Sequence, residues 1–324
     1  MEIVNNKKEV RVFAPATVAN MVCGFDILGF ALDRPGDEVY MRISETPGVR
    51  ILKITGDDGR LPLDPHKNTV SASVMAILKA LGQEHVGLEI ELHKKMPIGS
   101  GLGSSAASTV AGLFAANELL GQALTRQELL PYAILGEELA CGSGHADNVA
   151  AALMGGITLI RSYEPLDVIA LPVPEKLQVS LLFPHVDVPT RAARSMIKQQ
   201  IPLHGAVRQW GNVGGLVAGL YREDYELIGR SMEDVLIEPV RSILIPDFDA
   251  LKRIALDLGA LSFGISGSGP SVFAFSTSVE TAAQISRALE HHLTAKGIGC
   301  NAYVSGINTQ GPSMLNEVPA LQNQ

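Results

Sequence analysis

Residues 97–107 read PIGSGLGSSAA, glycines and serines crowded round one leucine. Such a run lets backbone come very close to another group. Upstream, Val86, Leu88, Ile90 and Leu92 alternate with other residues in VGLEIELHKKMP, the period of a half-buried strand ending at Pro97. Downstream, SSAASTVAGLFAANELLG predicts a helix from near Ser104, stopped by Gly121. The loop therefore joins a strand to a helix N-terminus, where orphan N–H groups and the positive end of the dipole favour an anion, phosphate above all. A P-loop is excluded because Ser104 stands where its lysine belongs. The dinucleotide fingerprint G-x-G-x-x-G is excluded because Ser104 also replaces its third glycine. A tight, closely packed turn would use the same residues.

Other residues could do chemistry, each with a plainer reading beside it. Glu137 is equally a polar residue on a solvated helix face, next to Glu138. His145, Asp147 and Asn148 fall together in GHADN, where a histidine alone is an ordinary loop residue. Asn20 and Asp26, in ANMVCGFD, could equally brace a turn with their side chains. Arg191, Arg194 and Arg241 each carry a guanidinium fork, and each could simply be a surface residue.

These groups need elements to hold them. The chain has 324 residues, of which 46% are apolar, enough for two domains sharing a cleft. VRVFAPATVANMVCGFDILGFAL opens as a strand and runs into a loop with Pro15 and Gly24. Thr125 and Glu128 form a capping box for a helix ending near Ala140, although Pro131 argues against its first turn. A glycine-rich turn and a short helical run follow, then a strand at ITLIRS. The proline-rich stretch at 163–176 marks a boundary. Beyond it, strands at LQVSLLF, SFGIS, SVFAFS and NAYVS are separated by helices, among them the amphipathic VETAAQISRALEHHLTAKG. The expected units are 1–168, 169–310 and a loose tail at 311–324.

Formal net charge is −8 with no basic block, which argues against nucleic acid and anionic membrane as partners. No apolar stretch reaches the ~18 residues of a membrane span, and MEIVNNKKEV carries no secretory h-region. Cys23, Cys141 and Cys300 are too scattered for a zinc site or a disulfide framework, so the expected compartment is the cytoplasm.

Three stretches taken together, PATVANMVCGFDILG, PIGSGLGSSAA and GISGSGPS, resemble the motifs of the galactokinase, homoserine kinase, mevalonate kinase and phosphomevalonate kinase superfamily. GHADNVAAALMGG, VPTRAAR and EPVRSILIPDF bring the resemblance nearest to the homoserine kinases. It implies an α+β fold of two domains. The first is an N-terminal α/β domain with a left-handed β-α-β crossover, the second a C-terminal ferredoxin-like domain. It also implies ATP and Mg2+, with magnesium supplying the positive charge that a lysine supplies in P-loops.

The same resemblance distributes roles. Pro97, Ile98, Gly99, Ser100, Gly101, Leu102, Gly103, Ser104, Ser105, Ala106 and Ala107 surround the nucleotide phosphates, and Asn68 lies on the adenine side. Ser105 and Glu137 hold the metal. Arg194 and Arg241 meet the carboxylate of L-homoserine, while Asn20 and Asp26 meet its ammonium and hydroxyl. His145 touches substrate, Thr190 approaches the transferred phosphate, and Asn148 orients the alcohol. Asn148 stands where several relatives carry a catalytic aspartate, so no general base is required, and Asp147 is expected to point away and brace its loop. A homodimer is the family's habit. The alternatives are a mevalonate-type kinase with Asp147 as base, and a non-catalytic sensor on the same fold.

Overall fold

The computed structural model describes residues 7–141, 146–198 and 200–315. In chain order the first half runs β1 (Glu9–Ala19), β2 (Leu28–Ser44), β3 (Gly48–Thr55), α1 (Thr69–Ala80), β4 (Gly87–His93), α2 (Ser104–Leu119), α3 (Arg126–Cys141), α4 (Ala146–Met154), β5 (Ile157–Tyr163) and β6 (Leu166–Leu171). The second half runs β7 (Gln178–Pro184), α5 (Thr190–Ser195), α6 (Leu203–Arg222), α7 (Tyr225–Ser231), α8 (Glu238–Arg241), α9 (Phe248–Asp257), β8 (Ser262–Ile265), β9 (Val272–Ser276), α10 (Val279–Ala295) and β10 (Cys300–Ser305), before β11 (Ser313–Met314).

The larger sheet has the order β11-β1-β2-β4-β3, with the β5–β6 hairpin joined to β2. β4 pairs antiparallel with β2 and parallel with β3. Its alternation now has a cause. Leu88, Ile90 and Leu92 are buried, while Glu89 lies on the other face and pairs with Arg42 and Arg50. β4 ends at His93, before the expected Pro97. α2 is buried on nearly every side, which is why its sequence is small-residue-rich rather than striped. A Cβ on Gly112 would meet Val70 Cγ2 at 2.4 Å, so α1 and α2 pack closely only because that position is glycine.

The smaller sheet has the order β10-β7-β9-β8, with every pairing antiparallel. This is the strand order of a ferredoxin-like domain. Phe30 from β2 packs against Phe273 and Phe275 from β9, with ring centroids 5.6 and 5.1 Å away, so the two sheets share one core.

Four local expectations change. Pro15 lies inside β1, paired with Gly36 at the point where the register shifts, Thr17 pairing next with Ala31, so the irregularity falls mostly on β2 opposite the proline. α3 starts where its capping box says, with Thr125 N–H donating to Glu128 Oε2 at 2.8 Å, and runs on through Pro131. The change of sheet falls between Leu171 and Gln178, so β6 carries the first half past residue 168. The stretch expected as a tail is ordered at its start, where β11 pairs with β1; residues 316–324 lie outside the described residues.

Candidate active site

A cleft of about 900 Å³ opens between the glycine loop and the second sheet's loops. Gly99, Gly101 and Gly103 all have positive φ, between 63 and 79°. Such turns let the loop fold back over the start of α2, whose N-cap is Gly103 with no side-chain cap. Its first N–H groups are thus left for a ligand. Ser104 Oγ is buried at this point and has no hydrogen-bond partner. An orphaned hydroxyl at an uncapped helix start suits a phosphate oxygen.

Ile98, Gly99, Ser100, Gly101, Gly103, Ser104 and Ser105 line the cleft. Pro97, Leu102, Ala106 and Ala107 do not. Leu102, Ala106 and Ala107 are fully buried, so they anchor the loop from beneath instead of facing a nucleotide. The third glycine stretch buttresses the first: Ser266 Oγ donates to Gly101 O at 2.7 Å, and a Cβ on Gly101 would meet Gly269 O at 2.6 Å.

Ser105 Oγ donates to Glu137 Oε1 at 2.6 Å across 32 residues, and both side chains face the cleft. A hydroxyl and a carboxylate side by side are hard oxygen ligands. They fit magnesium, which takes its remaining ligands from phosphate and water. No cluster of three or more His, Cys, Asp or Glu metal ligands occurs among the described residues.

The lysine missing from the loop is found next to it. Lys94, just past β4, is buried under the start of α2. Its ammonium pairs with Asp37 and donates to Ser104 O at 2.7 Å and Ser108 Oγ at 2.8 Å. Burial pushes its pKa down, and Asp37 opposes that push. The sequence offered no motif for this residue, since its carboxylate partner is 57 positions away.

At the other end of the cleft the charges come from side chains. Arg194 grips Asp26 with two hydrogen bonds of 2.8 and 2.6 Å. That grip raises the pKa of Arg194. Arg241 is buried, donating to Gly267 O at 3.1 Å, and burial lowers its pKa. Both guanidinium carbons lie over the ring of Phe25, at 5.0 and 5.1 Å. Phe25 was not foreseen; its only signal was adjacency to Asp26. Asn20 lines the cleft but acts as a brace, donating to Gly267 O at 2.9 Å and accepting from Asp26 N–H at 3.1 Å. Asn20, Met21 and Val22 all hold positive φ, a strained turn for non-glycine residues.

Between these ends stand Asn148, Asp147 and Thr190. Thr17 Oγ1 donates to Asn148 Oδ1 at 2.7 Å, fixing the amide so that its NH2 is the end left for a substrate oxygen. Asp147 accepts from Asn148 N–H at 3.0 Å, so it does brace the turn, but it also lines the cleft. Burial, helped by nearby Asp26, pushes its carboxyl up to about 7. Thr190 Oγ1 lies 3.2 Å from Ser268 Oγ. Asn68 lines the far end, where its amide caps α1 through Val70 N–H and donates to Pro62 O. His145 lies outside the described residues, as does the side chain of Arg191.

Comparison with known proteins agrees with this architecture. Residues 68–156 match the GHMP kinases N terminal domain, and residues 216–295 match the GHMP kinases C terminal domain. A homoserine kinase of Chloroherpeton thalassium is 54% identical over 87% of this chain and 92% of its own length. One from Chlorobium phaeovibrioides is 51% identical over 95% of this chain and all of its own. The crystal structure of homoserine kinase from Cytophaga hutchinsonii superposes with a TM-score of 0.94 at 59% identity, covering 97% of this chain and 100% of that one. A mevalonate kinase of L. major shares the fold, with a TM-score of 0.70 at 16% identity. The chain belongs to the GHMP kinases, enzymes built on this two-domain fold. Within them it is a member of the homoserine kinase family. No helix among the described residues is long and apolar enough to cross a membrane.

Proposed function

We propose that the protein transfers a phosphoryl group from ATP to the hydroxyl of L-homoserine, giving O-phospho-L-homoserine on the way to threonine. One observation carries the reading: a single cleft has a phosphate-binding helix start at one end and a cluster of two guanidiniums and a carboxylate at the other. Ser105 and Glu137 would hold Mg2+, which would neutralise phosphate charge during transfer. The α2 N-terminus and the Ser104 hydroxyl would hold the phosphates, with Lys94 fixing that end from below. Arg194 and Arg241 suit the substrate carboxylate, and Asp26 its ammonium. Asn148 donates to the alcohol and Thr190 stands near the transferred group. Phosphoryl transfer has a loose transition state, so the alcohol can lose its proton late and positioning supplies most of the rate.

A second reading of the same step is favoured by one observation. Asp147, with its carboxyl raised to about 7, has the basicity of a working general base at neutral pH. ADP release with magnesium-ATP, measured separately for homoserine, mevalonate and galactose, tests the function. Turnover of homoserine alone supports it; turnover of mevalonate instead, or of none, overturns it.

The setting we infer is cytoplasmic, in keeping with the unpaired Cys23 and Cys300. We also infer a homodimer. Leu203, Val207, Trp210 and Tyr221 are exposed along α6, and Gly211 and Gly214 beside them have nothing within 4 Å of a Cβ. Exposed glycines inside a helix cost about 1 kcal/mol each relative to alanine, which close approach of a second copy would offset. Sedimentation should show a dimer that Trp210→Glu dissociates; a monomeric wild type refutes it.

A further inference from the structure

We propose that Thr17 is a positioning residue for phosphoryl transfer, setting the distance between the phosphate end of the cleft and the amide that orients the alcohol. The proposal rests on the transfer reading above and says how the two reacting ends are held in register. Thr17 lies in β1, is fully buried and does not line the cleft. Its two hydrogen bonds reach opposite ends of the reaction. The Thr17 N–H donates to Leu102 O at 3.0 Å, and Leu102 directly precedes Gly103, the N-cap of α2. The Thr17 hydroxyl donates to Asn148 Oδ1 at 2.7 Å. One residue thus holds the phosphate loop by its backbone and the alcohol-facing amide by its side chain.

The junction has no slack. A Cβ on Gly103 would meet Thr17 Oγ1 at 2.0 Å and Asn148 Oδ1 at 2.9 Å. The turn that carries Asn148 is seated on the neighbouring strand, where a Cβ on Gly29 would meet Asp147 O at 2.2 Å. β1 and β2 are paired at this level, Thr17 opposite Ala31 and Ala19 opposite Gly29. The backbone beside Asn148 is therefore set by β2, while its amide is aimed from β1. Among the described residues Asn148 Oδ1 accepts from no group other than Thr17. Without that hydroxyl the amide can turn about its terminal torsion and present oxygen where it presented NH2. Phosphoryl transfer depends on in-line placement of the two reactants, and a misplacement of about 1 Å can cost on the order of a hundredfold. A residue that touches neither substrate can control the rate in this way.

A hydrogen-bonding role and a packing role predict opposite results. Threonine and valine have nearly the same shape, as do serine and alanine, and within each pair the hydroxyl is the main difference. On the proposal Thr17→Ser keeps most of the rate, while Thr17→Val and Thr17→Ala each lose about ten- to a hundredfold. If Thr17 only fills space in β1, Thr17→Val is the harmless change and Thr17→Ser the harmful one; that pattern overturns the proposal. The measurement is the single-turnover rate of transfer at saturating magnesium-ATP and homoserine, with a thermal melt of each variant. KM for ATP and KM for homoserine should each change by less than about threefold, since Thr17 contacts neither. A loss carried by either KM with the rate unchanged overturns the proposal.

A second measurement asks whether the effect passes through Asn148. The double variant Thr17→Val with Asn148→Ala should be no slower than Asn148→Ala alone, because the amide that Thr17 aims is already gone. Single losses that multiply in the double variant overturn the proposal. Wild type that turns over homoserine, with Thr17→Val as fast, loses only the positioning role. Wild type that does not turn over homoserine loses the functional reading, and the positioning role with it.

Discussion

The two ends of the cleft are built on different principles. The phosphate end is made of backbone: three positive-φ glycines, the first turn of α2, and an uncapped helix start. A buried cation there, Lys94, donates to a backbone carbonyl and to side chains of the protein itself. The other end is made of side chains drawn from both halves of the chain, with Asp26 and Arg194 separated by 168 residues. Backbone donors suit a ligand that every kinase of this fold shares. Side-chain charges can be changed one at a time, and on the proposed reading they would set which alcohol is phosphorylated.

That division can be broken most severely at Ser105 and Glu137, the pair proposed to hold the metal. Glu137→Gln should lower kcat by about a hundredfold or more at saturating magnesium-ATP, since it removes charge stabilisation at the reacting phosphate. Steady-state kinetics with a thermal melt check it, and near-wild-type kcat would show that Glu137 is structural. Next in size is the substrate end. Arg241→Leu should raise KM for homoserine roughly ten- to a hundredfold and leave KM for ATP nearly unchanged, the worth of one charge-assisted hydrogen bond. Equal changes in both constants would erase the distinction between the two ends.

Asp147 lies between them and sharpens the comparison through pH. Its carboxyl is raised in the folded protein from 3.8 to about 7. The folded state therefore holds that proton more tightly than the unfolded chain. Its contribution to stability is fully present below pH 3.8 and is lost as pH rises towards about 7. Asp147→Asn, which cannot ionise, should melt at the same temperature as wild type near pH 4 and higher by pH 8. No growth of that gap with pH would mean the carboxyl is not raised. In the same variant, retention of most of kcat supports transfer without a base, whereas loss of nearly all activity together with the acid limb of the pH profile supports the base.

The smallest expected effect is at Phe25. Phe25→Leu should raise KM for homoserine by up to about tenfold with kcat little changed, and Phe25→Tyr should restore it, because the ring face is what the guanidiniums need. A leucine variant that behaves as wild type would leave the ring without a role.

How much of this was legible in the sequence follows the same divide. The glycine loop was legible because a backbone-made site needs particular residues in a contiguous run, whereas Ser105 and Glu137 were singled out only through the family resemblance, Glu137 by itself reading as a solvated helix face. The same contiguity misled at Pro97, Leu102, Ala106 and Ala107, which neighbour the contact residues in sequence yet do not line the cleft. Lys94 and Asp37 were missed because a buried pair 57 residues apart leaves no local pattern. Phe25 was missed because a lone aromatic reads as core, and Thr17 because nothing local ties it to Asn148, 131 residues on. The β11 strand was read as tail because two residues are too short for any period to show.

The phenylalanine cluster formed by Phe30, Phe273 and Phe275 has a consequence for motion. Many two-domain enzymes admit substrate by swinging rigid halves about a hinge. Here a swing wide enough to part the sheets would wet three rings that are now fully buried, at about 1.5–3 kcal/mol each. The halves are thereby locked as one body. Entry through small displacements at the cleft's rim, where the short helix α5 carries Thr190 and Arg194, would avoid that cost.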